Sequence, residues 1–388
     1  MAQIFRARGE AFRRTHRLRP EQAKAMRAIE RCRTEALGGH VEACESCDHF
    51  VISYNSCRNR HCPKCQSLAQ AKWIDARLER ILPTHYFHVV FTLPSALRPH
   101  ARWNPRAFYD LLFASASATL LDLGRDPRRL GAQLGFTAVL HTWTRKLELH
   151  PHLHVIVTGG GLSPDGERWI AVKGEDRFLF PVKVLSRLFR GKFLDGLERL
   201  FESGELALDP NEDIPRGVFA ALRDRLQAQE WNVYAKRPFK GAEHVYKYLG
   251  RYTHRVGISN HRLQAITHDT VTFATKGDGS LTLSHDEFLA RFVQHVLPPG
   301  FVKVRHYGLM ASGNATTKLE VARRLLELQG AQSLERSESG GDWQDFYARL
   351  TGRDLRVCPR CKGAVVRLEL RSRGAVAVLE RAGKGKDP

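Results

Sequence analysis

Cys44-Glu45-Ser46-Cys47 and Cys62-Pro63-Lys64-Cys65 form two CxxC knuckles with 14 residues between them. Each knuckle turn aims two thiolates at one point, and two knuckles can complete a tetrahedral four-thiolate zinc shell. The segment around them has few long apolar stretches, so metal binding rather than a core would supply its folding free energy. The expected site is therefore Cys44, Cys47, Cys62 and Cys65, a closed structural shell with no open position for chemistry. Interleaved with the knuckles lie Cys32, His40, Cys57 and His61, which suit a second, crossed zinc site of two thiolates and two imidazoles. The alternative is that Cys32 and Cys57 are small buried hydrophobes. Cys358-Pro359-Arg360-Cys361 is half a site with no partner nearby in sequence. Docking onto the N-terminal module, completion across a dimer, and no site at all remain open for it.

Charge narrows the partner. The chain has 61 Lys+Arg against 41 Asp+Glu, a net charge of +20, which points to a polyanion. Arg58 and Arg60, between the knuckles, suit phosphate contacts. At 43 % hydrophobic residues the chain can build a packed core. No apolar run approaches the roughly 18 residues that span a bilayer. The first residues carry basic side chains without the apolar stretch or small-residue cleavage site of a secretory signal. The expectation is a cytoplasmic protein with reduced, metal-binding cysteines and no membrane partner.

Residues 1–31 read as a basic helical arm, with Pro20 opening its second helical pattern. Residues 32–82 read as a zinc-binding, DNA-contacting module followed by a helix over 66–82. A β-prone run at 85–93, a helix over 105–122 and strands at 135–143 and 152–159 follow. Residues 159–240 read as an insertion with a Gly-rich turn and two helices. Helical pattern returns at 242–255, two or three antiparallel strands fall within 262–284, and a helix over 286–297 stops at Pro298. Residues 311–388 read as a helical and linker region with the lone CxxC and a disordered tail. The β-α-β-β order from 85 to 159 fits a split βαβ, ferredoxin-like layer. The fold class expected is thus α+β: an antiparallel sheet with helices on one face, preceded by a zinc module.

Two motifs carry chemistry. In His150-Pro151-His152-Leu153-His154, residues two apart on a strand share a face, so His152 and His154 project together. Two imidazoles on one strand make a platform for a divalent cation. In Tyr248-Leu249-Gly250-Arg251-Tyr252, positions i and i+4 of a helix put both phenols on one side. An aromatic core stripe would produce the same spacing.

Together HPHLHVIVTGGGL, YLGRYTHRVGISNHRL, NSCRNRHCPKCQ and YFHVVFTLP resemble the zinc-containing, two-tyrosine rolling-circle transposases of bacterial insertion sequences, members of the HUH endonucleases. The resemblance spans residues from about 30 to 310, with four motifs in the family's order. It implies an HUH-type palm over 83–310, His152 and His154 as ligands of a catalytic Mg2+ or Mn2+, and Tyr248 and Tyr252 as the nucleophile pair. The third ligand, less settled by the resemblance, is placed on His244, one helical turn before Tyr248. Arg251 and Arg255 flank the pair and suit phosphate binding. The implied partner is DNA, as single-stranded element ends and target, in a bacterial cytoplasm at the nucleoid; an oligomer is open. Two rivals stand beside this: a non-catalytic zinc-dependent DNA-binding regulator and a metal-dependent phosphoesterase.

The charge surplus yields a direct expectation. Affinity for single-stranded DNA should fall steeply across a salt series, with a log–log slope of about −0.7 per phosphate contacted. Fluorescence anisotropy measures it, and a salt-independent affinity would exclude a nucleic-acid partner.

Overall fold

A computed structural model describes residues 1–172, 179–206, 216–235, 257–331, 342–373 and 376–381. The chain begins with helices α1 (Ala2–Thr15) and α2 (Pro20–Arg31), strands β1 (Gly39–Cys44) and β2 (Phe50–Tyr54), and helix α3 (Ser67–Leu78). Next come β3 (Tyr86–Thr92), α4 (Arg98–Trp103), α5 (Pro105–Arg125), β4 (Gln133–Trp143), β5 (Leu149–Leu162) and β6 (Trp169–Ala171). Helices α6 (Val182–Glu202) and α7 (Arg216–Ala228) lead to β7 (Val233–Ala235). After it lie β8 (Leu263–Ile266), β9 (Thr270–Ala274), β10 (Ser280–Ser284), α8 (His285–Val293), β11 (Val304–Gly308) and α9 (Lys318–Leu328). The last described elements are α10 (Trp343–Thr351), β12 (Val365–Arg373) and β13 (Val376–Arg381). No helix among the described residues is long and apolar enough to cross a membrane.

The chain divides into two units: residues 1–75, 254–296 and 337–388 form one, and residues 76–253 and 297–336 the other. The second holds an antiparallel sheet in the order β11-β4-β5-β3-β7, with β6 added to β5. Phe87, Val89 and Phe91 of β3, Phe136, Ala138 and Leu140 of β4, and Leu153, Val155 and Val157 of β5 bury one face. Against them lie Phe108, Leu112 and Phe113 of α5 and Leu185, Phe189 and Phe193 of α6. This is the expected layer, helices on one face of an antiparallel sheet. The expected strand at 152–159 runs further, from Leu149 to Leu162, through what reads as a Gly-rich turn. Glycine permits this because its neighbours close in: a Cβ on Gly160 would meet the Ile170 carbonyl oxygen at 2.6 Å.

The first unit joins segments far apart in sequence. Helices α1 and α2 are not a free arm. Ile4, Phe5, Phe12, Met26 and Ile29 are all buried, and the Phe5 ring meets Phe292 of α8 edge-on at 5.1 Å. That amphipathic contact draws residues 254–296, expected within the palm, into this unit instead. Ser284 caps α8, its hydroxyl accepting the Glu287 amide N–H. A second sheet runs β13-β12-β1-β2, all antiparallel, so the region beyond 311 supplies strands where a linker and tail are expected. The three-stranded β8-β9-β10 sheet agrees with the reading of 262–284.

Leu153 is fully buried between two histidines of opposite orientation. Leu153→Ala should cost about 2–5 kcal/mol in urea unfolding. Val302→Ala, at a position 59 % exposed, should stay within about 0.5 kcal/mol of the parent.

Candidate metal centres and catalytic face

The strand period decides what β5 can present. Alternation sends Leu149, Pro151 and Leu153 inward and His150, His152 and His154 to the opposite face. Across the ladder His141 of β4 pairs directly with His152, and Val139 with His154. Cross-strand partners share a face, so His141 joins the pair. Ring nitrogens of His141, His152 and His154 lie within 4.8 Å of one another. The site is thus three imidazoles on two adjacent strands, with no carboxylate in the group.

Neighbouring groups orient these rings. His152 Nδ1 sits 2.6 Å from the His150 carbonyl oxygen and donates its N–H there, leaving Nε2 as the metal-binding atom. His154 Nδ1 meets Nε2 of His88, from β3, at 2.8 Å. His88 thereby anchors His154 from the strand on its other side. Burial favours the neutral imidazole at His141 and His152. It pushes the His152 pKa down to about 4 and holds His141 well below its ordinary value. On the same face His306 of β11 bonds Thr137 Oγ1 at 2.9 Å and contacts Arg77, and burial lowers it to about 4 as well.

His141 and His88 lie in GFTAVLHTW and YFHVVFTLP, runs legible as strands, but neither sits in a His-x-His pattern. Only the ladder register brings them to His152 and His154. His244, Tyr248, Arg251, Tyr252 and Arg255 fall outside the described residues.

The cysteines sort differently from the expected sets. Cys32, Cys57, Cys62 and Cys65 converge in one cluster, and Cys44, Cys47, Cys358 and Cys361 in another. The two sequence-adjacent knuckles do not share a site. Strand β2 lies between them, and a five-residue strand spans about 17 Å, so the knuckles sit at opposite ends of the β1–β2 hairpin. Neither expected histidine joins a cluster. His40 bonds Arg367 and pairs with Glu42 at 3.5 Å, while His61 bonds the Asn59 side chain. In the first cluster Cys65 Sγ lies 3.1 Å from Cys32 Sγ and 3.5 Å from Cys57 Sγ. All eight cysteines are free of disulfides. Between these thiols Arg58 is exposed at φ 50°, and Arg60 is partly buried.

A family model described as "Putative transposase" matches residues 135–318, and one described as "Transposase zinc-binding domain" matches residues 4–93. The chain is 48 % identical over 380 residues to "Putative transposase y4qJ" of Sinorhizobium fredii, covering 95 % of each chain. It is 30 % identical over 310 residues to the transposase for insertion sequence element IS801 of Pseudomonas savastanoi pv. phaseolicola, covering 76 % of this chain and 72 % of that one. Among solved structures, a metal-bound conjugative relaxase TrwC in complex with OriT DNA is 13 % identical with a TM-score of 0.26, covering 44 % of this chain and 70 % of that one.

The buried imidazoles make stability pH-dependent. With folded pKa values near 4 for His152 and His306 against about 6.5 unfolded, the unfolded chain takes up protons that the folded sheet refuses. The metal-free protein should therefore lose stability as pH falls from about 6.5 toward 4. Urea midpoints at several pH values check this, and His306→Asn should flatten the dependence over that window.

Proposed function

Since this chain belongs to the insertion-sequence transposases related to that of IS801 and carries their zinc-binding domain, we propose that it cuts and rejoins single DNA strands through a 5′-phosphotyrosine, as in rolling-circle transposition. The observation that carries the reading is the convergence of His141, His152 and His154 on one sheet face. A regulator that only gripped DNA would have no use for three imidazoles, one buried and two half-buried, meeting at a point. A phosphoesterase built on them would call for carboxylates beside the imidazoles, and none joins the group among the described residues.

In this reading His141, His152 and His154 hold the catalytic divalent ion, with His141 in the place first given to His244. Three neutral imidazoles suit a transition-metal ion better than Mg2+, so Mn2+ is the better fit of the two. Such an ion would polarise the scissile phosphate and stabilise charge on its non-bridging oxygens. Tyr248 and Tyr252 are the nucleophiles. A tyrosine with an ordinary pKa near 10 attacks phosphorus once its phenol proton passes to solvent or a neighbouring base. The phosphorus–O3′ bond breaks, the leaving oxygen takes a proton, and a 3′-hydroxyl and a tyrosine phosphodiester result. One diester replaces another, so no nucleotide cofactor is consumed, and a 3′-hydroxyl attacking the link reverses the step. Two tyrosines let one hold the first cut end while the other cuts again. The zinc shells are structural, and Arg58, Arg60, Arg251 and Arg255 contact phosphates.

The test is a covalent adduct on a denaturing gel, formed from single-stranded DNA of the element's end and Mn2+. Tyr248→Phe and Tyr252→Phe should each lose one of two cleavage steps, and the double variant should form no adduct. His141→Ala and His152→Ala should abolish cleavage while DNA affinity stays within about twofold, because phosphate grip comes largely from Arg and Lys. Full adduct yield from the double Phe variant would overturn the assignment of the nucleophiles. Full cleavage by His141→Ala would remove it from the metal site.

A further inference from the structure

The first cysteine cluster lies wholly inside the segment matched as zinc-binding, residues 4–93. The second does not, since half of it comes from the far end of the chain. We propose that Cys44, Cys47, Cys358 and Cys361 hold a second structural zinc ion, which locks the C-terminal strands onto the N-terminal hairpin. The inference stands independently of the strand-transfer reading.

Backbone pairing brings the two knuckles together before any metal does. Strand β12 runs antiparallel to β1 with Cys44 opposite Val365, and the Glu45 amide N–H donates to the Ala364 carbonyl at 3.0 Å. Each knuckle turn therefore projects from the same end of one strand pair. Sulfur separations suit a metal and not a disulfide. Cys44 Sγ lies 3.4 Å from Cys361 Sγ, and Cys47 Sγ 3.9 Å from Cys358 Sγ. A tetrahedron with zinc–sulfur bonds of about 2.3 Å has edges of about 3.8 Å, whereas a disulfide closes to about 2.05 Å.

Backbone amides also point at the sulfurs. The Ser46 N–H points at Cys44 Sγ at 3.3 Å, and the Gly363 N–H at Cys361 Sγ at 3.4 Å. Cys47 likewise accepts a backbone N–H from His49, and Cys358 from Cys361 and Arg360. The knuckle backbone thus fixes where each of the four sulfurs points. Zinc binding here is ligand exchange without redox change: four thiols release their protons to solvent and four zinc–sulfur bonds form. The knuckles are packed closely enough to need a glycine. A Cβ on Gly363 would lie 2.6 Å from Ser46 Oγ and 2.9 Å from its Cβ.

The two sites differ in shelter. Cys32 and Cys62 of the first are buried, while Cys361 of the second is exposed and Cys44 and Cys47 are only half-buried. The second zinc should leave first when a chelator competes.

The full-length protein tests this with metal analysis and Co2+ titration, read by thiolate-to-metal absorption. The parent should bind two equivalents that show thiolate-to-metal absorption, apart from any ion on His141, His152 and His154, and the same equivalents are counted in each variant. Cys358→Ala/Cys361→Ala should bind one, Cys44→Ala/Cys47→Ala one, and the quadruple variant still one, because both pairs serve the same ion. Two equivalents in Cys358→Ala/Cys361→Ala, or one in the parent, would overturn the proposal. Hydrogen exchange on the parent supplies an arm that needs no variant. As the first equivalent of zinc is withdrawn, amides of Val365–Arg373 and Gly39–Cys44 should lose protection together. Unchanged protection there after one zinc has gone would also overturn it. Gly363→Val keeps every thiol and should weaken the second equivalent only; equal affinity for both would count against the docked knuckles.

Discussion

The register between β4 and β5 is the constraint on which the catalytic half of this protein depends. It sets His141 opposite His152 and, through the strand period, turns Leu153, Val155 and Val157 into the core on the other side. A slip of one residue would exchange the two sets, placing imidazoles among phenylalanines and leucines on the histidine face. The apolar face thus enforces the position of the polar one. Core packing against α5 and α6 holds the histidines in place although none of those helices touches the metal chemistry.

The same logic explains why the ligand face is neutral. Burial lowers both His141 and His152, and the neighbouring His154 and His152 add to the effect at His141, so the uncharged form is favoured at both. The carbonyl of His150 and the ring of His88 then select which nitrogen each ligand offers. A cation bound there would meet rings already oriented, while the +20 chain charge favours phosphate nearby.

In the hairpin of the first unit, cysteine clusters stand where apolar burial stands in the second unit. Strand β2 alternates between exposed and half-buried positions, with Phe50 62 % exposed, and no residue of α3 is buried. The β1–β2 hairpin is instead held by a cysteine cluster at each end. A metal bound at each cluster would tie the strand pair at both ends, and Arg58 and Arg60 sit in the loop of the first cluster, between Cys57 and Cys62.

Much of this was legible in the residues themselves. Alternation in HPHLHVIV specifies a strand and its two faces, proline at 20 and 105 marks helix starts, and CxxC spacing marks metal. These are local signals, written within one or two turns of chain, where covalent geometry alone determines which side chains share a direction. Partner choice is not local. His141 joined the histidine face, and the two knuckles parted company, because hydrogen-bond ladders join segments whose sequence separation carries no information about distance. Cys44 finds Cys361 rather than Cys62 since β1 has β12 on one side and β2 on the other, and a strand cannot bend back within five residues to unite its ends. The residue types and their periods fixed what each segment could do; the sheet pairings decided with whom.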